Sequence, residues 1–353
     1  MLLHRRIRAA AAPVVKSLFL KGGIYSGLRK MSPSRKLAIL RYHAICNADA
    51  GYAEPGICVS PAAFERHVAY LAANYRVLSL PDATATLKRG ATLPENAVAI
   101  TFDDGYADNL DAARILERHG LCATFYITAG CLADGAPFWP SELRVLVKAI
   151  ADPVIELCVN ETRVSLSITT TAERSNAVSR LTKIFKSNPI PVRESLREEL
   201  RRQAGIRDVP SPMLSWDDLT TMSHLGMVIG SHTITHPNLP NAGLADARQE
   251  ITASKATLEA RLCTAVTMFS YPNGGAERYV TPDVARLVRE AGFEAATTSR
   301  NAFAGPESDL YALERIQVAE RLEDLVFALE VERFAFKPAP RPVGRGTDAG
   351  YER

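Results

Sequence analysis

The sequence predicts an α/β protein in which parallel strands alternate with helices. The first observation behind this prediction is a series of short apolar runs, each suited to a strand covered on both faces. The second is that stretches with helical spacing of apolar residues lie between the runs. The runs are Leu37–Tyr42, Ala97–Phe102, Ala123–Thr128, Met227–Gly230, Val266–Phe269 and Phe293–Thr297. The helical stretches are Asp108–His119, Leu244–Leu262 and Pro282–Ala291. This alternation is typical of a parallel sheet or barrel.

A third observation concerns the polar residues, which follow the predicted strands instead of being scattered. They are His43, Asp103, Asp104, His232, His236, Tyr271, Asn273, Ser299 and Arg300. Because the carboxyl ends of parallel strands converge on one mouth, these side chains are expected to share one site. The pattern therefore predicts an enzyme.

The composition is that of an ordinary globular protein. The chain has 353 residues, of which 47% are apolar and 23% are charged. This length fits one large domain or two small ones, with enough apolar residues for a sizeable core. No stretch approaches the ~20 consecutive apolar residues that a membrane-spanning helix needs. The six cysteines include no Cys-x-x-Cys pair, so no disulfide framework is expected and a reducing, cytoplasmic location is favoured.

The N-terminal leader, residues 1–36, differs sharply in charge from the rest of the chain. It holds nine Lys or Arg and no acidic residue, whereas the remaining 317 residues carry a net charge of −6. Because the body is mildly acidic, nucleic acid is not an expected partner. Val14, Leu18 and Tyr25 lie near one face of a helix, which predicts peripheral membrane contact through residues 1–30 at the inner face.

Two alternatives to membrane contact stay open for the leader: a solvated extension, and an atypical signal or anchor. Lysines interrupt its apolar part and no clear signal peptide is present.

Residues 37–335 are predicted to form the main domain. Residues 141–214 break its rhythm with a β-branched stretch and charged helical segments, and are interpreted as an α+β insertion. Residues 336–353 contain a Pro- and Gly-rich run without periodicity and are predicted to be a flexible tail.

Two motifs at strand ends combine the residue types of a catalytic metal site. Asp103 and Asp104 precede Gly105, which permits a sharp turn, and His232 and His236 are one helical turn apart, so that both imidazoles can face one ion. One Asp and two His suit zinc, with cobalt, nickel or manganese as alternatives. Three protein ligands leave room for water and substrate, and the second carboxylate is then free to take a proton from the water. Taken alone, each motif also fits a simple turn or a chance surface pair.

The same motifs resemble those of the polysaccharide deacetylase family (NodB-homology, carbohydrate esterase family 4), and most closely its poly-N-acetylglucosamine deacetylase branch. The paired motifs are Thr101–Gly105 and His232–His236, and the resemblance extends through Ile39–His43, Ala123–Thr128 and Phe269–Gly274. It covers about residues 37–320 apart from the insertion. The resemblance implies a distorted (β/α)7–8 barrel that removes N-acetyl groups from amino sugars. It also implies a general base at Asp103, metal ligands at Asp104, His232 and His236, and substrate or oxyanion contacts at Tyr271 and Asn273.

Two departures from the family pattern affect the expected roles. Many members have a base-orienting arginine where this chain has Ser270, and the late Leu-x-His motif that supplies the general acid is missing. In the poly-N-acetylglucosamine branch the acid lies near the beginning of the domain, which makes His43 the expected acid, with a structural histidine as the alternative. Arg315 is the candidate replacement for the base-orienting arginine, and a surface ion pair is the alternative.

The sequence therefore predicts metal-dependent hydrolysis of the N-acetyl amide of an N-acetylglucosamine-type glycan, a chitooligosaccharide or a polysaccharide precursor, with release of acetate. Two other functions stay open. The leader motivates a deacylase of a lipid-linked amino sugar on the same fold. The missing arginine and histidine motivate a non-catalytic glycan-binding protein. The presence of both carboxylates and both histidines argues against the latter, because binding alone needs no base.

Overall fold

The structure is a computed structural model that describes residues 13–273 and 279–334. Its strands are β1 (Ala38–Tyr42), β2 (Arg76–Val77), β3 (Ala97–Phe102), β4 (Thr124–Ile127), β5 (Val154–Val159), β6 (Thr162–Ser167), β7 (Val228–Ser231), β8 (Met268–Ser270), β9 (Ala295–Asn301) and β10 (Leu313–Gln317). Seven of them form a closed parallel barrel in the order β1-β10-β9-β8-β7-β4-β3, and β3 pairs with β1 to close the ring. The α/β barrel predicted from the sequence is confirmed.

The helices pack around the barrel or belong to segments attached to it. They are α1 (13–21), α2 (Ile24–Met31), α3 (Pro61–Asn74), α4 (Leu80–Lys88), α5 (Asn109–Arg118), α6 (Trp139–Ala149), α7 (Thr171–Ser187), α8 (Ile190–Ala204), α9 (Trp216–His224), α10 (Leu239–Ala242), α11 (Leu244–Leu262), α12 (Pro282–Glu290) and α13 (Leu322–Glu330). Two short 3-10 helices span Pro55–Ile57 and Glu332–Phe334. Several helices begin at a serine or threonine whose side chain accepts a backbone N–H, as Ser60 does for α3 and Thr281 for α12.

Strand β3 shows how the barrel core fixes the chain at the mouth of the barrel. All six residues of β3 are buried. At its carboxyl end, Phe102 stacks on Phe125 of β4 with ring centroids 4.4 Å apart. Offset aromatic stacking adds to the burial of apolar area. The residue that follows, Asp103, therefore starts from a fixed position.

The insertion is a small α+β unit with its own hydrophobic core. It consists of α6, the antiparallel hairpin of β5 and β6, and then α7 and α8. Its core residues include Trp139, Leu146, Ile155, Leu181 and Leu200. The unit begins at the first residue of α6, so the sequence-based start at residue 141 falls inside a helix.

The leader forms two helices, and the single amphipathic face expected for it is wrong. A turn at Gly22 and Gly23 separates α1 from α2. Tyr25 is buried, whereas Val14 and Leu18 are each 61% exposed. Residues 1–12 lie outside the described part of the chain.

Buried polar contacts attach the leader to the barrel. Arg29 of α2 donates to Glu330 of α13 at 3.0 Å and to Asn74 of α3 at 2.7 Å. On α1, Lys16 pairs with Asp324 at 2.9 Å. Within the described residues no helix combines the length and the apolar character needed to cross a bilayer. The expected tail, residues 336–353, lies outside the described residues.

Candidate active site

A cleft of about 420 Å³ opens at the carboxyl ends of the barrel strands. The barrel supplies one wall of it and the insertion supplies the other. His43 follows β1, the two aspartates follow β3, and His232 follows β7. The placement of polar residues after successive strands thus brings these side chains together.

Asp104, His232 and His236 place their ligand atoms within 4.8 Å of one another, and all three are buried. Asp104 Oδ1 lies 3.5 Å from His232 Nε2 and 3.3 Å from His236 Nε2. His232 Nδ1 lies 2.8 Å from the carbonyl oxygen of Ser270, which can only accept, so Nδ1 carries the proton and Nε2 keeps its lone pair. Burial alone raises the pKa of Asp104, but the two histidines hold it well below its ordinary value. One carboxylate and two imidazole nitrogens in this state fit a divalent ion.

The segment between the two histidines is a loop, so the expected helical turn is wrong. Thr233 and His236 have positive φ angles of 70° and 55°. Glu250 of α11 holds the loop, accepting the N–H groups of Ile234 and Thr235 at 2.8 Å each. A carboxylate that satisfies neighbouring N–H groups favours this turn over a helix, because a helix would direct those groups along its axis.

Asp103 is paired with Arg315, which is fully buried, so the alternative of a surface ion pair is wrong. Arg315 Nη1 and Nη2 each donate to one carboxylate oxygen at 2.7 Å. The hydroxyl of Ser270 donates to Asp103 Oδ1 at 3.3 Å and accepts from Arg315 Nη2 at 3.1 Å. Burial raises the pKa of Asp103, but the Arg315 charge outweighs it and the pKa lies below its ordinary range. Asp103 is therefore a carboxylate.

Arg315 lies next to an irregularity in the pairing of β9 with β10, where β9 advances four residues, from Thr297 to Asn301, while β10 advances two. The register between β10 and β9 shifts between Leu313 and Arg315. A bulge of this kind re-aims a side chain, and bulges are common beside active sites. Arg315 Nε is fixed by donating to the carbonyl oxygen of Thr298 at 2.7 Å.

His43 lines the cleft with Nε2 at 3.6 Å from Asp103 Oδ2. Its Nδ1 is buried and has no hydrogen-bond partner among the described residues. Burial lowers the pKa of His43 to about 4, although the charges of Asp103 and Asp104 oppose this. The imidazole is therefore neutral in the free site at pH 7.

Tyr271 lies outside the cleft, which differs from its expected substrate role. Its hydroxyl donates to the carbonyl oxygen of Tyr311 at 2.9 Å, and its backbone N–H donates to Thr297 at 3.1 Å. Asn273 does line the cleft, with a φ of 62°, and its Nδ2 is buried without a partner among the described residues. Asn273 is thus available to donate to a ligand.

Further side chains line the cleft besides these. Trp139 donates from Nε1 to the carbonyl oxygen of His236 at 3.0 Å and supports the histidine loop from the insertion side. Arg41, Arg144 and Lys186 also line the cleft. Their charges resemble those of any surface basic residue, so the sequence carried no signal for them.

Comparisons with known proteins give matches in both sequence and structure. A family model described as polysaccharide deacetylase matches residues 90–159 and 160–296, more than half of the chain. A Bacillus subtilis (strain 168) protein named "Putative polysaccharide deacetylase YxkH" is 23% identical over 305 residues, which are 86% of this chain and 78% of that protein.

Solved structures share the fold. The Streptococcus pyogenes deacetylase PplD, in complex with acetate, gives a TM-score of 0.55 at 18% identity, over 85% of this chain and 100% of that one. IcaB from Ammonifex degensii gives a TM-score of 0.54 at 17% identity, over 84% of this chain and 98% of that one.

Proposed function

The chain belongs to the polysaccharide deacetylase family and is a hydrolase of carbon–nitrogen amide bonds, and we propose that it removes the N-acetyl group of an N-acetylglucosamine-type glycan or its precursor. The products are acetate and the free amino sugar. The observation that carries this proposal is the Asp103 carboxylate, kept ionised by Arg315 and placed next to the Asp–His–His set.

Asp104, His232 and His236 are proposed to hold one divalent ion, zinc in the first instance. When bound, such an ion supplies Lewis-acid chemistry, polarising the acetamide carbonyl and lowering the pKa of a water molecule. The tautomer of His232, fixed by Ser270, supports this assignment.

The remaining roles belong to side chains that surround this set. Asp103 takes the proton of the attacking water, and Arg315 holds its carboxylate towards the cleft. Because His43 is neutral in the free site, it gains its proton during the cycle, and Asp103 at 3.6 Å is the group that passes it. His43 then gives that proton to the leaving nitrogen as the carbon–nitrogen bond breaks. Asn273 Nδ2 donates to the oxygen on which negative charge develops.

A purely glycan-binding role fits this geometry less well. Arg315 uses two hydrogen bonds to keep one buried carboxylate ionised beside a second one. Binding a neutral sugar does not require a buried, ionised base, whereas amide hydrolysis does.

The test of the proposed function is acetate release from a chitooligosaccharide by the full chain, before chelation, after chelation and after reloading with zinc. We expect activity to disappear with the metal and to return with about one ion per chain. Asp104→Asn should abolish both ion retention and activity, and asparagine tolerates the positive φ of 76° at this position. His224→Asn, on the exposed face of α9, is the matched control and should change neither. Full activity of the chelated protein, or none with the ion bound, contradicts the proposal.

A second proposal concerns where the enzyme works: α1 and α2 dock on an anionic lipid surface. Leu18 and Met31 are 61% and 86% exposed, and Lys21 and Lys30 are exposed on the same helices. Exposed apolar side chains flanked by lysines suit an anionic bilayer interface. The Arg29–Glu330 pair keeps these helices on the barrel, so docking would bring the whole enzyme to the surface.

Co-sedimentation with phosphatidylglycerol vesicles tests this docking. The double variant Leu18→Ser and Met31→Ser should reduce binding about tenfold, since two exposed apolar side chains are lost. Leu244→Ser, which removes an exposed leucine elsewhere, is the control. Equal binding of both variants removes the membrane proposal and leaves the deacetylase proposal untouched.

A further inference from the structure

The insertion wall of the cleft carries positive charge. Thr182 and Lys186 lie one turn apart on α7 and both line the cleft, and Arg144 reaches it from α6. Residues four apart on a helix share a face, so α7 presents a hydroxyl and an ammonium group to the same space. This cluster and Asp103 line the same cleft.

The acidic residues of the cleft already have other partners. Asp103 is bound by Arg315, and Asp104 lies beside His232 and His236. Glu54 is paired with Nη2 of Arg144, and the other N–H groups of that guanidinium have no acceptor among the described residues. Among the described residues, no hydrogen-bond acceptor or carboxylate pairs with Lys186 Nζ. Burial lowers the pKa of Lys186, and the attraction of Asp104 does not fully offset this. A partly buried ammonium group without a partner is unfavourable, and an anionic ligand would relieve that cost.

Lys186 is held in a fixed relation to the histidine loop. Its backbone carbonyl oxygen accepts from the side-chain amides of Asn238 at 3.0 Å and Asn241 at 2.7 Å, just beyond His236. The preceding residue, Phe185, packs edge-on against Trp139, which in turn donates to His236. The cation therefore has a defined position relative to the groups that are proposed to cut the amide.

We propose that Lys186, with Arg144 and Thr182, binds a phosphate group carried by the amino sugar, so that the substrate of this enzyme is a phosphate-bearing N-acetyl amino sugar. This inference rests on the proposed deacetylation and adds the substrate class. Phosphate is favoured because an ammonium, a guanidinium and a hydroxyl offer more donors than the two oxygens of a carboxylate take up. No bond to phosphorus forms or breaks, and the phosphate only positions the sugar.

The test compares two substrates that share one sugar ring: N-acetylglucosamine 1-phosphate and methyl N-acetylglucosaminide. For the zinc-loaded full chain we expect kcat/KM for acetate release to be at least about tenfold higher with the phosphate, the effect of one or two charge-assisted bonds. Lys186→Met keeps the aliphatic stem and should remove that preference through KM. Lys186→Arg should keep much of it. Lys183→Met, exposed on the same helix, is the control and should behave as the wild type.

Calorimetric binding of N-acetylglucosamine 1-phosphate provides a readout that needs no turnover. We expect binding by the wild type and by Lys183→Met, and at least about tenfold weaker binding by Lys186→Met. Uridine-diphosphate-linked and prenyl-diphosphate-linked N-acetylglucosamine carry the same phosphate chemistry, and the better substrate of the two identifies the source.

The outcomes separate this inference from the proposed function. Equal kcat/KM for the two matched sugars, or a preference that survives Lys186→Met, overturns the phosphate site while deacetylation stands. Preference for a carboxylate sugar such as N-acetylmuramic acid over the phosphate also overturns it. Absence of acetate release from every sugar overturns the proposed function, and phosphate-dependent calorimetric binding would then still support the site.

Discussion

Two buried carboxylates of this protein are each held by arginine, one at the mouth of the barrel and one in the insertion. Asp103 takes two hydrogen bonds from Arg315, each at 2.7 Å. Glu142 takes one from the Nε of Arg197 and one from the Nε of Arg201, also at 2.7 Å each. Their side chains are 3% and 1% exposed. By pairing and burial alone the two carboxylates are nearly equivalent.

They differ in what else surrounds them. Glu142 joins α6 to α8. Arg197 also donates to Glu194 and to the carbonyl oxygen of Pro137. Asp103 lines the cleft, with His43 at 3.6 Å and Asp104 next to it in the chain. An arginine–carboxylate pair thus joins two helices in one place and lines the cleft in the other, where we propose that it takes part in catalysis. The environment of the carboxylate, rather than the pair itself, distinguishes the two.

Neutralising Asp103 and Glu142 in turn tests whether the two carboxylates differ in function, and the larger effect is expected at Asp103. Asp103→Asn should lower acetate release by about 10³-fold, because an amide cannot take the proton of the attacking water. The divalent ion should remain, since its proposed ligands are unchanged. Initial rates and elemental analysis measure the two effects, with circular dichroism as the check on folding. A fall of less than tenfold would show that Asp103 is not the base.

His43 lies next to Asp103 and not next to Glu142, and replacing it tests the proposed proton transfer. His43→Gln should lower turnover by about 10²-fold, the lower end of general acid catalysis, with the ion still bound. Substrates with a better leaving group need less help from an acid, so the deficit should shrink for a trifluoroacetamido sugar. Unchanged turnover would make His43 a structural histidine.

A milder change separates the charge of Arg315 from its geometry. Arg315→Lys keeps the positive charge but loses the two parallel hydrogen bonds, so Asp103 should remain ionised yet less well oriented. We expect a loss of about tenfold in kcat with KM nearly unchanged. Arg286→Lys, on the exposed face of α12, serves as the control. A loss as large as that of Asp103→Asn would mean that orientation dominates over charge.

Neutralising Glu142, the buried carboxylate of the insertion, should have the smallest effect on catalysis. Glu142→Gln should change kcat less than about twofold, because Glu142 does not contact the cleft side of the site. It leaves two arginines without a buried carboxylate, which costs about 3 kcal/mol. Hydrogen exchange of α7 and of the β5–β6 hairpin measures this loosening. Glu156→Gln, an exposed partner of Arg163, is the control and should cost under about 1 kcal/mol. A large fall in kcat would place Glu142 in the chemistry.

The residues at the mouth of the barrel were predictable because each follows an apolar strand directly in the sequence. β3 is a wholly apolar strand followed at once by Asp103 and Asp104, and β1 is followed by His43. The abrupt change from buried strand to polar residue marks both the fold and the site.

The arginine partner of Asp103 was only partly predictable from the sequence. The sequence indicates Arg315 as a candidate but does not predict β10 as a strand, because Glu314, Arg315 and Gln317 interrupt its apolar pattern. Arg315 is buried against Asp103, 212 residues earlier, and lies next to a register shift between β9 and β10 that no local pattern encodes. The buried position of a charged residue inside a barrel can be explained only once its distant partner is known.

The predictions of a helical turn between the histidines and of a substrate contact at Tyr271 differ from the structure for a related reason. A spacing of four residues fits one helical turn, but Glu250 binds the loop N–H groups and selects a different backbone. Tyr271 follows a strand as Asn273 does, yet its ring turns into the core against Phe269. Sequence position indicates which residues reach the mouth of the barrel, while tertiary contacts decide which of them face it.

The position of β10 also determines when the site becomes complete. β10 pairs with β1, and the facing residues Arg41 and Gln317 are 276 positions apart in the chain. Contacts of such long range are made late, because a large loop has to be closed before they form. A nascent chain cannot close the ring until β10 has left the ribosome. Asp103 acquires its arginine in that same step, so completion of the fold and charge balance of the site are one event.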